Sequence, residues 1–332
     1  MASFWAFPVT LYTCQAGYES LLIKELGEKT AEKGIGWVFG PEASGELCFA
    51  HMGLAAPVAV EGRSVNSLSG ALADYFTGST KNERFEGPWP YCVESSSAPG
   101  LPRRAKTVAE GCLEKIRGRM SRVAKLAVIG RPAPGRSRGL FAYLTGFDGV
   151  QASREVQAGG QRRMADDPRA PSRSYLKVEE AYGILGREPA RGDIVADLGA
   201  APGGWSYSAA RRGARVLAID NGPLKAGALD PLIEHRREDA FLFVPARPID
   251  WLFCDMVEDP DRVIALLGRW LGEGWCRRFV VNLKFGRQNP LRLLSCAQDL
   301  RTSCSLLRAR HLFHDREELT LVGERRERPG CS

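Results

Sequence analysis

Apolar residues in the C-terminal half of the chain occur in short, nearly continuous runs that alternate with stretches of helical spacing. Such runs are typical of strands in a parallel sheet that is buried on both faces. They predict strands at 194–198, 216–220, 249–255 and 279–285. After the stretch 291–303, a closing pair of strands is predicted at 306–313 and 319–324. The alternation predicts a doubly wound α/β domain over residues 172–332.

The N-terminal half has shorter elements and predicts a mixed α+β region. A strand, a turn at Gly17 and a helix are expected within 9–35, followed by strands at 35–40 and 45–50, so that 1–60 forms a small α/β subdomain. A second domain is expected over 61–155. Its predicted elements are a loop at 79–104, a strand at 91–94, a helix at 107–126, and strands at 126–129 and 140–145. Residues 156–171 lose apolar side chains and predict a linker.

Composition narrows the class of protein. The 332 residues are 44% hydrophobic and 26% charged, which is ordinary for a globular protein. No apolar run reaches the roughly 20 residues that span a bilayer, and the N-terminus has no export signal, so a cytoplasmic protein is expected. The nine cysteines form no Cys-x-x-Cys pair. We therefore expect no metal site, and Cys254 is interpreted as a core residue.

Positive charge is concentrated in the middle of the chain. Residues 1–100 hold 6 Lys/Arg against 11 Asp/Glu, residues 101–171 hold 15 against 6, and residues 172–332 hold 25 against 22. A basic central segment favours contact with nucleic acid, although a solvated surface would give the same count. The candidate RNA contacts lie in a helix, a basic turn and the linker: Lys115, Arg117, Arg119, Arg122; Arg131, Arg136, Arg138; Arg162, Arg163, Arg173.

A glycine-rich loop follows the first predicted strand of the C-terminal domain. The sequence Asp197-Leu-Gly-Ala-Ala-Pro-Gly-Gly-Trp-Ser206 ends a strand with an acid, turns through glycines and starts a helix near Gly203. It matches neither the dinucleotide nor the phosphate-loop pattern. Ligands of open α/β sheets bind at this end of the strands, and Asp220 at the end of the next strand could accept hydrogen bonds from ribose hydroxyls. Asp239 is a further candidate, or alternatively a helix cap.

Four charged residues stand beside apolar runs, where charge is costly. They are Lys177, Asp255, Lys284 and Glu318. Asp255 and Lys284 end predicted parallel strands, so both should face the ligand cleft. Any one of them alone would more often be a solvent-facing residue. Glu317 is the alternative to Glu318, which is preferred because it adjoins the strand at 319–324.

These motifs resemble those of a known enzyme family. The loop D-L-G-A-A-P-G-G-W and the order Lys, Asp, Lys, Glu are similar to the FtsJ-like 2′-O-methyltransferases and their K-D-K-E tetrad. The phrases S-R-S-Y-L-K-V-E-E-A, C-D-M-V-E, N-L-K and H-D-R-E-E-L-T resemble the ribosomal RNA large subunit methyltransferase M family. The match covers most of residues 168–323. The N-terminal half resembles the family loosely, and there the family carries an RNA-binding THUMP domain.

The resemblance implies a Rossmann-like class I methyltransferase domain, a mostly parallel sheet with helices on both faces, preceded by an α+β region that contains the THUMP domain. It implies S-adenosyl-L-methionine as cofactor and RNA, specifically a cytidine of bacterial 23S rRNA, as substrate. The cofactor-binding residues implied are Ser174, Gly199, Ala201, Pro202, Gly203, Gly204, Trp205, Asp220, Asp239 and Asp255. Ser172 or Ser174 could instead cap the helix that carries Lys177.

The implied mechanism assigns Lys284 as the general base for a ribose 2′-hydroxyl. A free lysine titrates near ~10.4, whereas catalytic lysines are tuned to roughly 7–8. Repulsion from Lys177 and desolvation are expected to favour a neutral lysine, while Asp255 orients it and Glu318 positions Lys177 or the hydroxyl. Two alternatives remain: a 2′-O-methyltransferase acting on tRNA or another RNA, and a non-catalytic RNA-binding protein with a relict methyltransferase fold.

Overall fold

The computed structural model describes residues 9–28 and 31–327. These residues divide into two compact units, an N-terminal unit up to Gly160 and a C-terminal unit from Gln161. The expectation of no export signal concerned the N-terminal segment. The first eight residues of that segment lie outside the described part. Among the described helices, none is both long and apolar enough to cross a membrane.

The N-terminal unit is built on one mixed sheet. Its strands are β1 (Val9–Thr13), β2 (Lys33–Gly34), β3 (Trp37–Pro41), β4 (Met52–Ala55), β5 (Val58–Glu61), β6 (Trp89–Ser95), β7 (Ala127–Ile129), β8 (Gly135–Leu144) and β9 (Gly149–Ala158). Its helices are α1 (Glu19–Glu25), α2 (Val65–Ser79), α3 (Leu101–Arg119) and α4 (Ser121–Lys125). The strand order is β2-β3-β1-β4-β9-β8-β6-β7, with β5 also paired to β9.

One sheet therefore runs through both of the predicted N-terminal parts. β4 precedes the expected boundary at residue 60, and β5 crosses it, but both pair with β9 near the end of the unit. The boundary consequently does not separate two sheets. β9 also continues to Ala158, three residues into the predicted linker at 156–171.

Several N-terminal predictions were wrong in position. Residues 45–50 form no strand, because the Glu25 carboxylate accepts hydrogen bonds from the backbone of Cys48 (2.6 Å) and Phe49 (3.0 Å) and holds this segment as a turn. The helix predicted at 107–126 begins earlier, directly after Gly100, and breaks at Met120. Arg136 and Arg138 lie in β8, not in a turn.

The C-terminal unit has the predicted alternation of strands and helices. Its strands are β10 (Ile194–Leu198), β11 (Arg215–Ile219), β12 (Ile233–Arg236), β13 (Ile249–Cys254), β14 (Cys276–Lys284), β15 (Cys304–Arg310) and β16 (Glu318–Arg325). Its helices are α5 (Tyr175–Leu185), α6 (Gly204–Ala210), α7 (Pro260–Gly272) and α8 (Pro290–Gln298), with short 3-10 turns at Ala226–Ala228 and Asp299–Ser303.

The sheet of this unit is parallel for five strands and ends in an antiparallel pair. The order is β12-β11-β10-β13-β14-β16-β15, with β16 and β15 antiparallel. This confirms the Rossmann-like fold predicted for the C-terminal half. The short strand β12 was missed because its residues, Ile-Glu-His-Arg, are mostly polar, as an edge strand permits.

Both faces of this sheet are buried. Alternate residues of the central strands, including Val195, Val216 and Trp251, form a core with Tyr182 of α5 and Trp205 of α6. The intervening residues point to the opposite face and are buried as well, which explains the continuous apolar runs in the sequence.

Candidate active site

The strand order places a crevice between β10 and β13. The chain proceeds from β10 outward to β11 and β12 on one side, and resumes at β13 on the other. Ligands of open α/β sheets bind where the order reverses in this way, beyond the carboxyl ends of the strands. The glycine-rich loop follows β10, and Asp255 directly follows β13. Lys284 is the last residue of the neighbouring strand β14.

The four charged residues singled out from the sequence meet at this end of the sheet. The Nζ of Lys177 lies 2.5 Å from Oε2 of Glu318 and 3.5 Å from Oδ1 of Asp255. The Nζ of Lys284 lies 3.1 Å from the same Asp255 oxygen and donates a hydrogen bond to its backbone carbonyl at 2.9 Å. Asp255 is thus shared by two lysines, while Glu318 forms a salt bridge with Lys177 and with no other residue that the structure describes.

The register of β14 and β16 determines which glutamate joins this group. Lys284 stands opposite Glu318 in the antiparallel pair. Glu317 precedes β16, its side chain is exposed, and its backbone carbonyl accepts a hydrogen bond from Phe285 (3.0 Å). The geometry therefore brings Glu318, and not Glu317, to the lysines.

Burial and pairing act in opposite directions on these groups. Burial lowers the pKa of Lys177, but the charges of Asp255 and Glu318 outweigh that effect and raise it above the ordinary lysine value. Burial raises the pKa of Asp255, with Lys177 and Lys284 opposing the rise. Lys177 is consequently held as a cation. Its side chain is 11% exposed, against 22% for Lys284.

A second buried polar group, which sequence reasoning missed, lies behind Glu318. Asp315 accepts hydrogen bonds from Leu312 N (2.9 Å), Asn282 Nδ2 (3.2 Å) and Thr320 Oγ1 (3.1 Å). Burial raises the pKa of Asp315 well above the ordinary value. The polar residue Asn282 within the apolar run of β14 was the available signal, because a buried amide requires a partner.

The loop after β10 packs too closely for side chains at its glycines. Gly199 has φ +76°, and a Cβ there would lie 2.4 Å from Cγ of Met256. Gly203 has φ +104°, and its Cβ would lie 2.3 Å from Cβ of Ala228. Both positions combine a left-handed backbone with a close neighbour, so only glycine fits. The loop therefore presents its backbone along the crevice.

Asp220, at the end of β11, is held against this loop by two backbone donors. Its Oδ2 accepts from Ala201 N (3.0 Å), and its Oδ1 accepts from Gly222 N (2.7 Å). Pro202 lies between these contacts and the start of α6. The Trp205 side chain is buried in the core and donates from Nε1 to Ser174 O (2.9 Å), so only its backbone remains at the loop.

Two serines lie beside the first residue of α6. The hydroxyls of Ser172 and Ser174 are 2.7 Å apart, and a Cβ at Gly204 would lie 2.7 and 2.8 Å from them. Ser174 is the N-terminal cap residue of α5 but makes no capping hydrogen bond with its side chain. Both hydroxyls therefore remain directed at the loop, and the alternative role as helix caps is not what the structure shows for Ser174.

The remaining acids of the crevice differ in exposure. Asp239 is exposed and lies in a turn rather than at a helix cap; its Oδ1 accepts from Phe241 N (2.8 Å). Asp197 is fully buried beneath the loop and accepts a 2.6 Å hydrogen bond from the Ser206 hydroxyl. Burial raises the pKa of Asp197 to about 7.

Together these groups fit S-adenosylmethionine. Gly204 leaves a cradle that a Cβ would fill, bordered by the serine hydroxyls, and Asp220 is positioned at the end of β11, where nucleoside hydroxyls are bound in such folds. In the described part of the chain, no group of three or more His, Cys, Asp or Glu residues is arranged to hold a metal ion.

A cavity of about 730 Å³ opens beside the four charged residues. Lys284 and Glu318 line it, whereas Lys177 does not. The other residues that line it come from the loops after β13 and β14 and before β16: Val257, Glu258, Asp259, Gly286, Arg316 and Glu317. This volume falls within the roughly 300–1,000 Å³ of small-molecule sites.

The candidate RNA contacts divide into paired and unpaired groups. Acidic partners lie close to the side chains of several of them: Arg119 to Asp74, Arg131 to Glu94, Arg136 to Glu42, Arg138 to Glu83 and Glu155, and Arg173 to Asp166. Arg117 and Arg122 are exposed and form no salt bridge with described residues. The helical group thus keeps more of its charge available than the group at 131–138.

Comparison with known proteins agrees with this geometry. A family model of FtsJ-like methyltransferases matches residues 170–265. The ribosomal RNA large subunit methyltransferase M of Chromohalobacter salexigens is 34% identical over 357 positions, covering 94% of this chain and 96% of that protein. That of Laribacter hongkongensis is 37% identical, covering 70% and 68%. That of Halorhodospira halophila is 45% identical, covering 55% and 56%. The first similarity spans both units.

Proposed function

Because the chain belongs to the ribosomal RNA large subunit methyltransferase M family, we propose that it methylates a ribose 2′-hydroxyl of ribosomal RNA with Lys284 as the general base. The enzyme class follows from family membership: the chain is an S-adenosylmethionine-dependent RNA methyltransferase. The finer part of the proposal concerns the roles of the four charged residues and the nucleotide, a cytidine of 23S rRNA by family resemblance.

One observation supports the choice of Lys284 over Lys177. Only Lys284 lines the cavity, where a substrate hydroxyl can reach its Nζ. Lys177 is held between Glu318 and Asp255, and its raised pKa keeps it protonated. A protonated lysine has no lone pair to accept a proton, so Lys177 is unsuited to act as the base.

The carboxylates of Asp255 and Glu318 orient different groups of the site. Asp255 receives both lysines on one oxygen, and its backbone carbonyl also accepts a hydrogen bond from Lys284, so that Asp255 holds the Nζ of Lys284 beside the cavity. Glu318 satisfies Lys177, so that Lys177 contributes a fixed positive charge near Lys284.

The cofactor is held, in this proposal, by the loop and by the acids of the crevice. The backbone of Gly199 and of 201–204, the hydroxyl of Ser174, and the carboxylates of Asp220 and Asp239 are the binding groups, with Asp255 at the inner end. When bound, S-adenosylmethionine supplies a methyl group on a cationic sulfur and leaves as a neutral thioether. Lys284 takes the proton that the ribose hydroxyl loses.

RNA binding by the N-terminal unit completes the proposal. We assign THUMP-like RNA recognition to residues 61–155, with Lys115, Arg117 and Arg122 as phosphate contacts. Arg117 and Arg122 form no salt bridge within the described part of the chain, whereas the arginines of β8 do, and this supports the choice.

The test is transfer of labelled methyl to 23S rRNA from cells that lack the modification, followed by digestion to nucleosides. We expect 2′-O-methylcytidine with the wild type, and a loss of about 10²–10⁴ in kcat with Lys284→Ala, the usual contribution of a general base. Lys284→Arg is the matched variant, because arginine is also a long basic side chain but always stays protonated, so it cannot accept the proton of the hydroxyl.

The outcomes separate the remaining candidates. Both Lys284 variants should bind S-adenosylhomocysteine as the wild type does. Full activity of Lys284→Arg would contradict the assignment of the base. Transfer to tRNA but not to rRNA would change the substrate. Wild-type protein that binds RNA but neither binds the cofactor nor transfers a methyl group would favour the relict fold.

A further inference from the structure

Two consecutive residues after Asp255 have their side chains in different environments. Met256 is buried against Gly199 of the glycine-rich loop. Val257 is 87% exposed and lines the cavity that also contains Lys284 and Glu318. The segment 255–257 thus forms a wall with the cofactor loop on one side and the cavity on the other.

Val257 differs chemically from the other side chains of the cavity. A single exposed valine on an open surface needs no explanation. In this cavity, however, every other side chain that lines it is ionic, apart from Gly286, which has none. Among the described residues that line the cavity, Val257 is therefore the one with a wholly apolar side chain to offer a molecule that enters beside Lys284.

Two of the cavity's carboxylates are already engaged by the protein. Asp259 accepts from Asp261 N (2.9 Å) at the start of α7 and from Gln288 Nε2 (3.0 Å). Glu258, which precedes α7, forms an ion pair with Arg262 in the first turn of that helix. Arg262 offsets the negative charge of Glu258, so this carboxylate opposes an anionic substrate less than an unpaired one would.

We infer that this cavity binds the target nucleotide turned out of its base stack, with Val257 packed against the base and Arg316 close to the adjoining phosphate. The inference rests on the proposed function and names the substrate contacts of that site. A ribose must approach Lys284 inside the cavity, and single-stranded, unstacked nucleotides are the elements of RNA that proteins receive in pockets of this kind. Base faces pack on apolar side chains, and arginine is suited to phosphate.

The experiment compares Val257→Ser with Val244→Ser, a second exposed valine, which does not line the cavity. Steady-state methyl transfer is measured against RNA concentration, and S-adenosylhomocysteine affinity is measured separately. We expect Val257→Ser to lower kcat/KM for RNA about tenfold, equivalent to about 1.4 kcal/mol, with cofactor affinity unchanged. Val257→Leu should retain activity, because it keeps an apolar surface. Val244→Ser should behave as the wild type.

A second measurement follows the base directly. RNA carrying pyrrolocytosine, a fluorescent cytosine analogue, at the methylated position should become more fluorescent on binding, since this base is quenched while stacked. Val257→Ser should reduce that increase in fluorescence. Arg316→Gln should raise KM for RNA but leave the fluorescence increase in place. Because the Val257 side chain is highly exposed, its replacement should not disturb folding, and a folding defect would not explain a loss of activity in these variants.

The inference is overturned if Val257→Ser leaves both kcat/KM and the fluorescence increase at wild-type values. That result would leave the proposed function standing whenever Lys284→Ala is inactive. Conversely, an active Lys284→Ala would refute the assigned base, while the fluorescence increase and its dependence on Val257 would still decide whether the nucleotide enters the cavity.

Discussion

Replacing Lys177 by methionine tests the electrostatic organisation of the site. Methionine has a similar length and no charge, so the substitution removes the cation while filling its space. Glu318 then loses its partner at 2.5 Å, and Asp255 loses the one at 3.5 Å. Asp255 retains Lys284 at 3.1 Å, whereas Glu318 retains no salt bridge to a described residue.

The expected loss of stability follows from this imbalance. Removing one partner of a buried ion pair costs about 3–5 kcal/mol, because the other charge remains in a poorly solvated environment. For a unit of the size of 161–332, each kcal/mol corresponds to roughly 2–4 °C in Tm. We therefore expect Tm of the C-terminal unit to fall by about 6–20 °C. The double variant Lys177→Met/Glu318→Gln should recover part of this loss and none of the activity.

The pH dependence of the loss has a definite sign. Burial already raises the pKa of Asp255, and Lys177 opposes that rise, so the variant should raise it further. A carboxyl whose pKa is higher in the folded state stabilises the fold only while it is protonated, and that contribution is lost as pH rises above the ordinary value. The deficit of Lys177→Met relative to the wild type should accordingly be larger at pH 8 than at pH 5.

Thermal unfolding by circular dichroism at several pH values measures this deficit. Arg301→Met is the matched control, because Arg301 is an exposed cation without a salt bridge to a described residue, and its loss should change stability by less than about 0.5 kcal/mol. A deficit below 1 kcal/mol, or one that is the same at pH 5 and pH 8, would refute the reasoning.

Two further predictions concern the cofactor loop and a buried histidine. Gly203→Ala should reduce S-adenosylhomocysteine affinity more than tenfold, since φ at this position is +104° and Ala228 leaves no space for a Cβ. Gly272→Ala in α7, where a Cβ meets open space, should leave the affinity unchanged. Equal affinities of the two variants by calorimetry would contradict this prediction. His311 is buried, which lowers its pKa to about 4. Its contribution to stability is complete above the ordinary pKa of about 6.5 and is lost as pH falls toward 4, by up to about 3 kcal/mol. His311→Gln should therefore flatten the acid limb of the Tm profile, and an unchanged limb would exclude His311 as its cause.

The candidate site was largely predictable because its residues stand at the ends of elements that the apolar pattern defines. Asp255 and Lys284 follow runs of buried residues, and parallel strands bring such ends to one edge of a sheet. Glu318 was predicted through its position next to an apolar run. Its distance from Lys177 was not, since that depends on the antiparallel register of β14 and β16.

The N-terminal unit was less predictable for a different reason. Glu25 reorganises residues 48 and 49 through two hydrogen bonds, and no pattern along the chain announces a contact between positions so far apart. The expected boundary at residue 60 failed to separate sheets for the same reason. β9 pairs with both β4 and β5, and pairing between distant strands overrides the local change in composition.

The buried polar residues behind the site favour one register of the strands β14 and β16. In β14, Asn282 and Lys284 point to the same face, opposite Thr320 and Glu318 of β16. Asp315 joins the inner pair through Asn282 and Thr320, so the register that aligns this buried network also aligns Lys284 with Glu318. Shifting β16 by one residue would turn Thr320 and Glu318 to the other face of the sheet, away from Asn282 and Lys284. The buried Asn282 amide and Thr320 hydroxyl would then lose the hydrogen bond that joins them. The network thus gives the strand pairing a strong preference for the register in which the two charged residues of the site face each other.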